Sequence, residues 1–184
     1  MHNTDLDELS TDSARIRVGV LAISGSVNLL DDVGPSAWKR MGGEAIEHAL
    51  PPGEFVLLRM LVMPGGDTEE IAQILRDWCD APNPAYRCGL ILTIGGDGNS
   101  EQDVVPEATQ EVVEQEALDV VETLWQTCLA QAGSKDMSQM ESRAVAGVRK
   151  QTLIVNISRC FDNPADAVVA LLPMLPRAFD ELGR

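Results

Sequence analysis

The feature that most constrains the fold is an apolar run that ends in glycines. Residues 90–94 read Leu-Ile-Leu-Thr-Ile without a charge, and residues 95–98 then read Gly-Gly-Asp-Gly. An uncharged run of this length is typical of a strand buried on both faces of a parallel sheet. Glycines at its end allow positive φ and let successive N–H groups converge on an anion. The stretch therefore predicts a parallel strand whose carboxyl end faces a ligand.

The flanking sequence predicts an alternation of strands and helices. Strands are predicted at residues 15–23, 55–63, 88–94, 144–148 and 152–157. Helices are predicted at 36–49, at 68–80 after the capping residue Asp67, in two segments after Pro106, and at 164–182 with a break at Pro173 and Pro176. In the longer segment after Pro106, a stripe of apolar residues is predicted to face the core: Leu118, Val121, Trp125 and Cys128.

This alternation predicts an α/β fold, a three-layer αβα sandwich around a mostly parallel sheet. The last two strands are joined by a turn too short for a parallel crossover, so they should form an antiparallel edge. Residues 1–14 are polar, acidic and aperiodic, which predicts a flexible N-terminal arm. The remaining residues, 15–184, are predicted to form a single domain.

Composition narrows the possible partners. The 184-residue chain has 29 acidic and 14 basic residues and a net charge of −15, which disfavours nucleic-acid binding. Its apolar runs are shorter than a membrane span, and residues 1–14 lack the features of a signal peptide. We therefore expect a cytoplasmic protein without a nucleic-acid or membrane partner.

The four cysteines are predicted to be small buried hydrophobic residues in a reducing compartment. Cys79, Cys88, Cys128 and Cys160 show no Cys-x-x-Cys spacing, and the chain has two histidines. This set is a poor match to a zinc site.

Three blocks of sequence occur in the order found in a known family. Residues 93–98 read Thr-Ile-Gly-Gly-Asp-Gly, and residues 102–109 read Gln-Asp-Val-Val-Pro-Glu-Ala-Thr. Residues 142–149 read Ser-Arg-Ala-Val-Ala-Gly-Val-Arg and are followed by Thr-Leu-Ile-Val-Asn at 152–156. A weaker block comprises Ile-Ser-Gly-Ser at 23–26 and Asp-Val-Gly-Pro at 32–35. Together they resemble the molybdenum cofactor biosynthesis (molybdopterin-binding) family, which includes molybdopterin adenylyltransferases and the gephyrin G domain.

The resemblance implies a reaction and a set of site residues. The reaction is adenylyl transfer from ATP to the terminal phosphate of molybdopterin with the help of Mg²⁺, in a homotrimer. Asp103 would be the catalytic residue that organises the magnesium ion, although an aspartate here could instead, or in addition, cap the helix that begins at Pro106. The residues implied to bind the ligand are Ser24, Gly95, Gly96, Gly98, Ser142, Arg143 and Asn156.

Some ligand-facing positions depart from the family pattern. Asp97 replaces a threonine, and a carboxylate about 4 Å from a phosphate costs about 4 kcal/mol at an effective dielectric of about 20. Unless Asp97 is itself a metal ligand alongside Asp103, this repulsion opposes binding. Gly65 and Gly66 stand where the family has an acidic turn, Ser24-Gly25-Ser26 lacks the Asp-Arg of the family's first loop, and residues 158–164 replace Pro-Gly-x-Pro.

Three functions are therefore open. The first is molybdenum (or tungsten) cofactor biosynthesis by adenylylation of molybdopterin with Mg-ATP. The second is a non-catalytic molybdopterin-binding or scaffolding member of the same fold, whose ligand loops have degenerated. The third is an unrelated nucleotide-binding regulator that uses the same glycine loop.

Overall fold

The computed structural model describes residues 15–23, 35–95, 104–132, 144–158 and 160–183. The strands are β1 (Ile16–Ile23), β2 (Phe55–Met63), β3 (Leu90–Gly95), β4 (Gln115–Glu116), β5 (Ala146–Arg149) and β6 (Thr152–Ile157). The helices are α1 (Pro35–Arg40), α2 (Gly43–Ala49), α3 (Thr68–Asp80), α4 (Val105–Val112), α5 (Leu118–Ala132), α6 (Pro164–Leu171) and α7 (Leu175–Glu181), with a 3₁₀ turn at Pro84–Tyr86.

The strands form one mixed sheet in the order β2-β1-β3-β6-β5-β4. The first four are parallel to their neighbours, whereas β5 runs antiparallel to β6, and β4 antiparallel to β5. The predicted α/β class, with a mostly parallel sheet and an antiparallel edge, is confirmed. The two-residue strand β4 is an addition that no periodicity could predict.

Helices cover both faces of the sheet. Along β3, Leu90, Leu92 and Ile94 lie in an apolar core with residues of α1, α2, α5, α6 and α7. Ile91, between them, lies in a second core with residues of α3 and α4. Because successive side chains of a strand point to opposite faces, this buried apolar run requires a helical layer on each side. Full burial of each leucine or isoleucine contributes about 1.5–3 kcal/mol.

The region predicted as one helix at 36–49 is two helices. The chain breaks at Gly42, whose φ of 85° lies in the left-handed region. A residue in this conformation ends a helix, and glycine adopts it without a steric penalty. A Cβ at this position would also overlap Pro164 at the start of α6. The interruption that proline predicts within residues 164–182 is confirmed, because α6 ends at Leu171 and α7 begins at Leu175.

The core-facing stripe of α5 differs from the predicted one. Val120, Leu124 and Cys128 are buried, whereas Leu118 is 67% exposed and Val121 is half-buried. Apolar residues occupy two adjacent stripes of this helix, so periodicity alone could not choose between them. The cap of α3 is confirmed, because the Asp67 carboxylate accepts from the Glu70 N–H at 2.8 Å. Within the described ranges, no helix is long and apolar enough to cross a membrane.

Candidate functional site

The carboxyl ends of three parallel strands meet at one edge of the sheet. Ile23 pairs with Gly95, and Thr93 pairs with Asn156. The Asn156 N–H also donates to the Val145 carbonyl at 2.9 Å, which brings the start of β5 to the same edge. Open α/β sheets bind ligands at this edge. Residues 24–34, 96–103 and 133–143, which lie outside the described residues, each join the described chain here, after Ile23, after Gly95 and before residue 144.

Gly95 ends the central strand in a conformation that excludes other residues. Its φ is 83°, in the left-handed region. A Cβ at this position would overlap the Ile23 carbonyl oxygen, because β1 and β3 approach closely there. Both observations require glycine, and they leave backbone rather than side chain facing this end of the sheet.

Asn156 places a buried amide at the same edge. The residue is 6% exposed, and its side-chain oxygen accepts hydrogen bonds from the hydroxyls of Thr93 at 3.0 Å and Thr109 at 2.9 Å. The side-chain nitrogen has no hydrogen-bond partner among the described residues. Leaving a buried donor unpaired costs about 1–3 kcal/mol, so such a group is usually satisfied by water or by a ligand.

Sequence reasoning assigned no role to Thr93 and Thr109, although both lie within the blocks that carry the family resemblance. Thr93 is 1% exposed and interrupts an otherwise aliphatic strand, and Thr109 is fully buried in α4. A hydroxyl inside an apolar run needs a hydrogen-bond partner, so the sequence could have indicated that Thr93 bonds to another buried group. The partner itself could not be read from the sequence, because Asn156 is 63 and 47 residues away.

The opposite, amino-terminal end of β6 carries a polar contact of another kind. There the Thr152 hydroxyl donates to the Cys88 carbonyl at 2.7 Å. Next to it, Arg149 donates to both carboxylate oxygens of Asp80, with the shortest distance at 2.6 Å. Lys150 lies 2.9 Å from the same carboxylate. This set ties the end of α3 to the β5–β6 turn.

The charges at that end shift the acidities of their neighbours. The Arg149 guanidinium holds the pKa of Asp80 below its usual value, and Asp80 in turn raises the pKa of Arg149. Burial raises the pKa of the Cys79 thiol to about 12. These groups are paired or neutral, so their arrangement indicates a structural role.

Most of the predicted site residues lie outside the described residues. Gly95 and Asn156 are brought to the same edge, as described above. The remaining predicted site residues, which lie outside the described ranges, are Ser24, Gly96, Asp97, Gly98, Asp103, Ser142 and Arg143. Among the residues that the structure describes, no three His, Cys, Asp or Glu side chains cluster as metal ligands would.

Two of the four cysteines were predicted wrongly. Cys128 and Cys160 form a disulfide with their Cα atoms 5.9 Å apart, whereas Cys79 and Cys88 are buried and outside the disulfide, as expected. The bond joins α5 to the segment that follows β6. Helices α5 and α6 pack against each other, and Cys160 lies shortly before α6, so the fold brings together two cysteines that are 32 residues apart.

The chain is similar in sequence and structure to several known proteins. No protein-family model matches the chain. A molybdopterin adenylyltransferase of Helicobacter pylori is 27% identical over 170 residues, which cover 90% of this chain and 86% of the relative. The gephyrin of Dictyostelium discoideum is 28% identical over 173 residues, which cover 88% of this chain but 22% of that longer protein. The crystal structure of the molybdopterin biosynthesis enzyme MoaB from Thermus thermophilus is 30% identical, with a TM-score of 0.70, and the match covers 92% of this chain and 98% of that one.

The parallel sheet, with Gly95 and a buried amide at its carboxyl edge, defines an α/β protein of the class that binds ligands across strand ends. Within that class, the similarity to MoaB extends over nearly the whole of both chains. The chain belongs to the molybdenum cofactor biosynthesis family, as the three sequence blocks predict.

Proposed function

We propose that this protein adenylylates molybdopterin with Mg-ATP, as a step in molybdenum cofactor biosynthesis. In this reaction an oxygen of the molybdopterin terminal phosphate attacks the α-phosphorus of ATP. The new P–O bond forms as the bond to the pyrophosphate breaks, so one pyrophosphate is released per adenylylated pterin. The names of the curated relatives, which are adenylyltransferases, support this reaction.

The observation that carries the proposal is the unpartnered side-chain nitrogen of Asn156 at the carboxyl edge. It is an uncharged donor held in place by Thr93 and Thr109, so it suits an acceptor atom of a bound ligand. Gly95 would contribute to binding in another way, because a residue without a side chain lets a ligand approach the backbone. In catalysis of this kind the protein positions the reactants and stabilises charge, with little covalent work.

The remaining roles follow the family resemblance. Gly96 and Gly98 would extend the glycine turn, Ser24 and Ser142 would line the pocket, and Arg143 would contact a phosphate. Two carboxylates, Asp97 and Asp103, would provide the oxygen donors that Mg²⁺ prefers. When bound, Mg²⁺ would neutralise phosphate charge. We assign this activity to a single domain at residues 15–184 and propose a homotrimer, which light scattering would report as three times the mass of one chain.

The test measures pyrophosphate release and the adenylylated product after molybdopterin and Mg-ATP are mixed with the protein. Release of one pyrophosphate per product supports the proposal. Tight binding of molybdopterin without release would instead favour a non-catalytic binding protein. Failure to bind either molybdopterin or Mg-ATP would refute both.

Two variants connect the activity to the structure. Asn156→Asp keeps the oxygen that accepts from the two threonines but replaces the donor, so affinity should fall about tenfold or more. Thr152→Val removes a buried hydroxyl from the other end of the same strand and should leave binding unchanged. Equal loss in both variants would show that the effect is structural.

A further inference from the structure

The two hydroxyls at Asn156 come from different layers of the fold. Thr93 belongs to β3, the strand paired with β6, and Thr109 belongs to α4, a helix that packs against β6. Both donate to the same oxygen of the amide. A carbonyl oxygen has two lone pairs, so both are used. Rotation of the amide would break both bonds at once, and its nitrogen is therefore held in one direction.

The contribution of Thr109 differs from that of Thr93. The pairing of β3 with β6 already fixes the position of Thr93 relative to Asn156. Helix α4 packs on the sheet largely through the apolar residues Val105, Ala108 and Val112. Apolar contacts are non-directional and tolerate small sliding movements, whereas a hydrogen bond fixes both distance and direction.

The position of α4 matters for the residues on its N-terminal side. The helix begins at Val105, after Val104, whose own side chain makes no cap hydrogen bond. Residues 96–103 are attached at this end, and their other end is attached at Gly95. The hydrogen bond from Thr109 in α4 to Asn156 in β6 therefore fixes where α4, to which that segment is attached, lies relative to the Asn156 amide.

We propose that Thr109 is a positioning residue, which holds the Asn156 amide and α4 in the arrangement that binds ligand. Thr109 is fully buried and its hydroxyl donates to the Asn156 side-chain oxygen, so this hydroxyl proton is not offered to a ligand. It acts through the amide nitrogen, whose direction it fixes. The inference rests on the proposed function for the identity of the ligand, which we take to be molybdopterin.

The test compares three variants of the full chain. Thr109→Val keeps the shape of the side chain but removes the donor, and Thr109→Ser restores the donor without the methyl group. Thr152→Val is the matched control, because it also removes a buried hydroxyl from the α3/α4 face of the same core. All three should fold, with Thr109→Val and Thr152→Val showing similar decreases in melting temperature.

The affinity for molybdopterin should differ between variants whose melting temperatures are similar. We expect Thr109→Val to raise the Kd for molybdopterin about tenfold, the equivalent of one lost hydrogen bond. Thr109→Ser should bind within about twofold of the original chain, and Thr152→Val should bind as the original does. Unchanged affinity in Thr109→Val, or an equal loss in Thr152→Val, would overturn the inference.

A second measurement needs no ligand. The side-chain NH₂ group of Asn156 gives a pair of NMR signals, which are assigned by their absence in Asn156→Asp. Thr109→Val should shift this pair and accelerate its hydrogen exchange, whereas Thr152→Val should do neither. If the original chain binds neither molybdopterin nor Mg-ATP, the proposed function fails while the NMR result still decides whether Thr109 holds the amide. Unaltered Asn156 signals in Thr109→Val would refute the inference even if the protein is an active adenylyltransferase.

Discussion

The two ends of β6 carry buried polar residues on the same face of the sheet, yet they are built differently. At the amino end, Thr152 donates to a backbone carbonyl, and Arg149 pairs with Asp80 beside it. At the carboxyl end, Asn156 is held by two hydroxyls, but its nitrogen has no partner in the described part of the chain. A satisfied network fixes structure, whereas an oriented, buried and unsatisfied donor is the kind of group that a water molecule or a ligand satisfies.

The two faces of the sheet differ in the same respect as the two ends of β6. The face covered by α1, α2, α5, α6 and α7 has an apolar core, and the four buried polar residues of the described chain belong to the other face. Apolar packing supplies most of the free energy, and directional bonds then decide where individual groups point. Substitutions at the amino end of β6 should therefore change stability alone, whereas substitutions at its carboxyl end should also change ligand binding.

The largest expected effect on stability comes from loss of the disulfide near the carboxyl end of β6. Reduction of Cys128–Cys160 removes a constraint across 32 residues of the unfolded chain. This should lower the free energy of unfolding by about 3.7 kcal/mol. Urea titrations with and without dithiothreitol measure the change. The double variant Cys128→Ala/Cys160→Ala is the control and should not respond to the reductant; an unchanged midpoint in the original chain would contradict the prediction.

Gly95→Ala should have the next largest effect. An alanine at φ 83° costs about 1–2 kcal/mol, and its Cβ overlaps the Ile23 carbonyl, which adds about 1 kcal/mol or more. We expect a loss of roughly 3 kcal/mol in the free energy of unfolding together with weaker ligand binding. Gly53→Ala is the control, because a Cβ there has no neighbour within 4 Å. Similar stability of the two variants would show that β1 and β3 do not approach as closely as described.

The sequence predicted the parts of this comparison that depend on local pattern. The buried run at β3, the capped helix α3 and the glycine that ends β3 follow from periodicity and composition alone. Asn156 was singled out because it lies in a block that resembles a known family. These signals are all contained within short stretches of chain.

What the sequence could not predict depends on contacts between distant residues. The bond from Thr109 to Asn156 spans 47 residues, and the disulfide spans 32. Arg149 and Asp80 are 69 residues apart. Charged and polar residues at such separations look like solvated surface until the fold brings them together, and two apolar stripes on α5 left its buried face undecided.

A smaller, pH-dependent effect is expected at the amino end of β6. The pKa of Asp80 is lowered in the folded state by Arg149, so its carboxylate contributes stability above its unfolded pKa of about 3.9 and loses it as pH falls through the folded value. Asp80→Asn should lower the free energy of unfolding by about 1 kcal/mol at pH 7. The difference should shrink below about pH 4, where the carboxyl group is increasingly protonated.

Urea unfolding at pH 7, 5 and 3.5 would measure this dependence. Asp77→Asn removes a negative charge from the same helix and controls for the change in net charge. Molybdopterin binding should be the same in Asp80→Asn as in the original chain, since this end of β6 is structural. A constant stability difference across the pH range would refute the role of ionised Asp80.

The smallest expected signal is the reactivity of Cys79, which is 2% exposed and lies at the amino end of the sheet. Burial raises its pKa to about 12, so at pH 8 its thiolate fraction is on the order of a thousandfold below that of a free cysteine. The folded, oxidised protein should therefore give no rapid reaction with Ellman's reagent. Unfolding without reductant should then expose the two thiols outside the disulfide, those of Cys79 and Cys88. After mild reduction of the folded chain, the half-buried Cys160 should react while Cys79 stays protected. Rapid reaction of Cys79 in the folded state would show that the amino end of β6 opens to solvent. The contrast between a closed, fully bonded amino end and a carboxyl end with an unpaired donor would then be wrong.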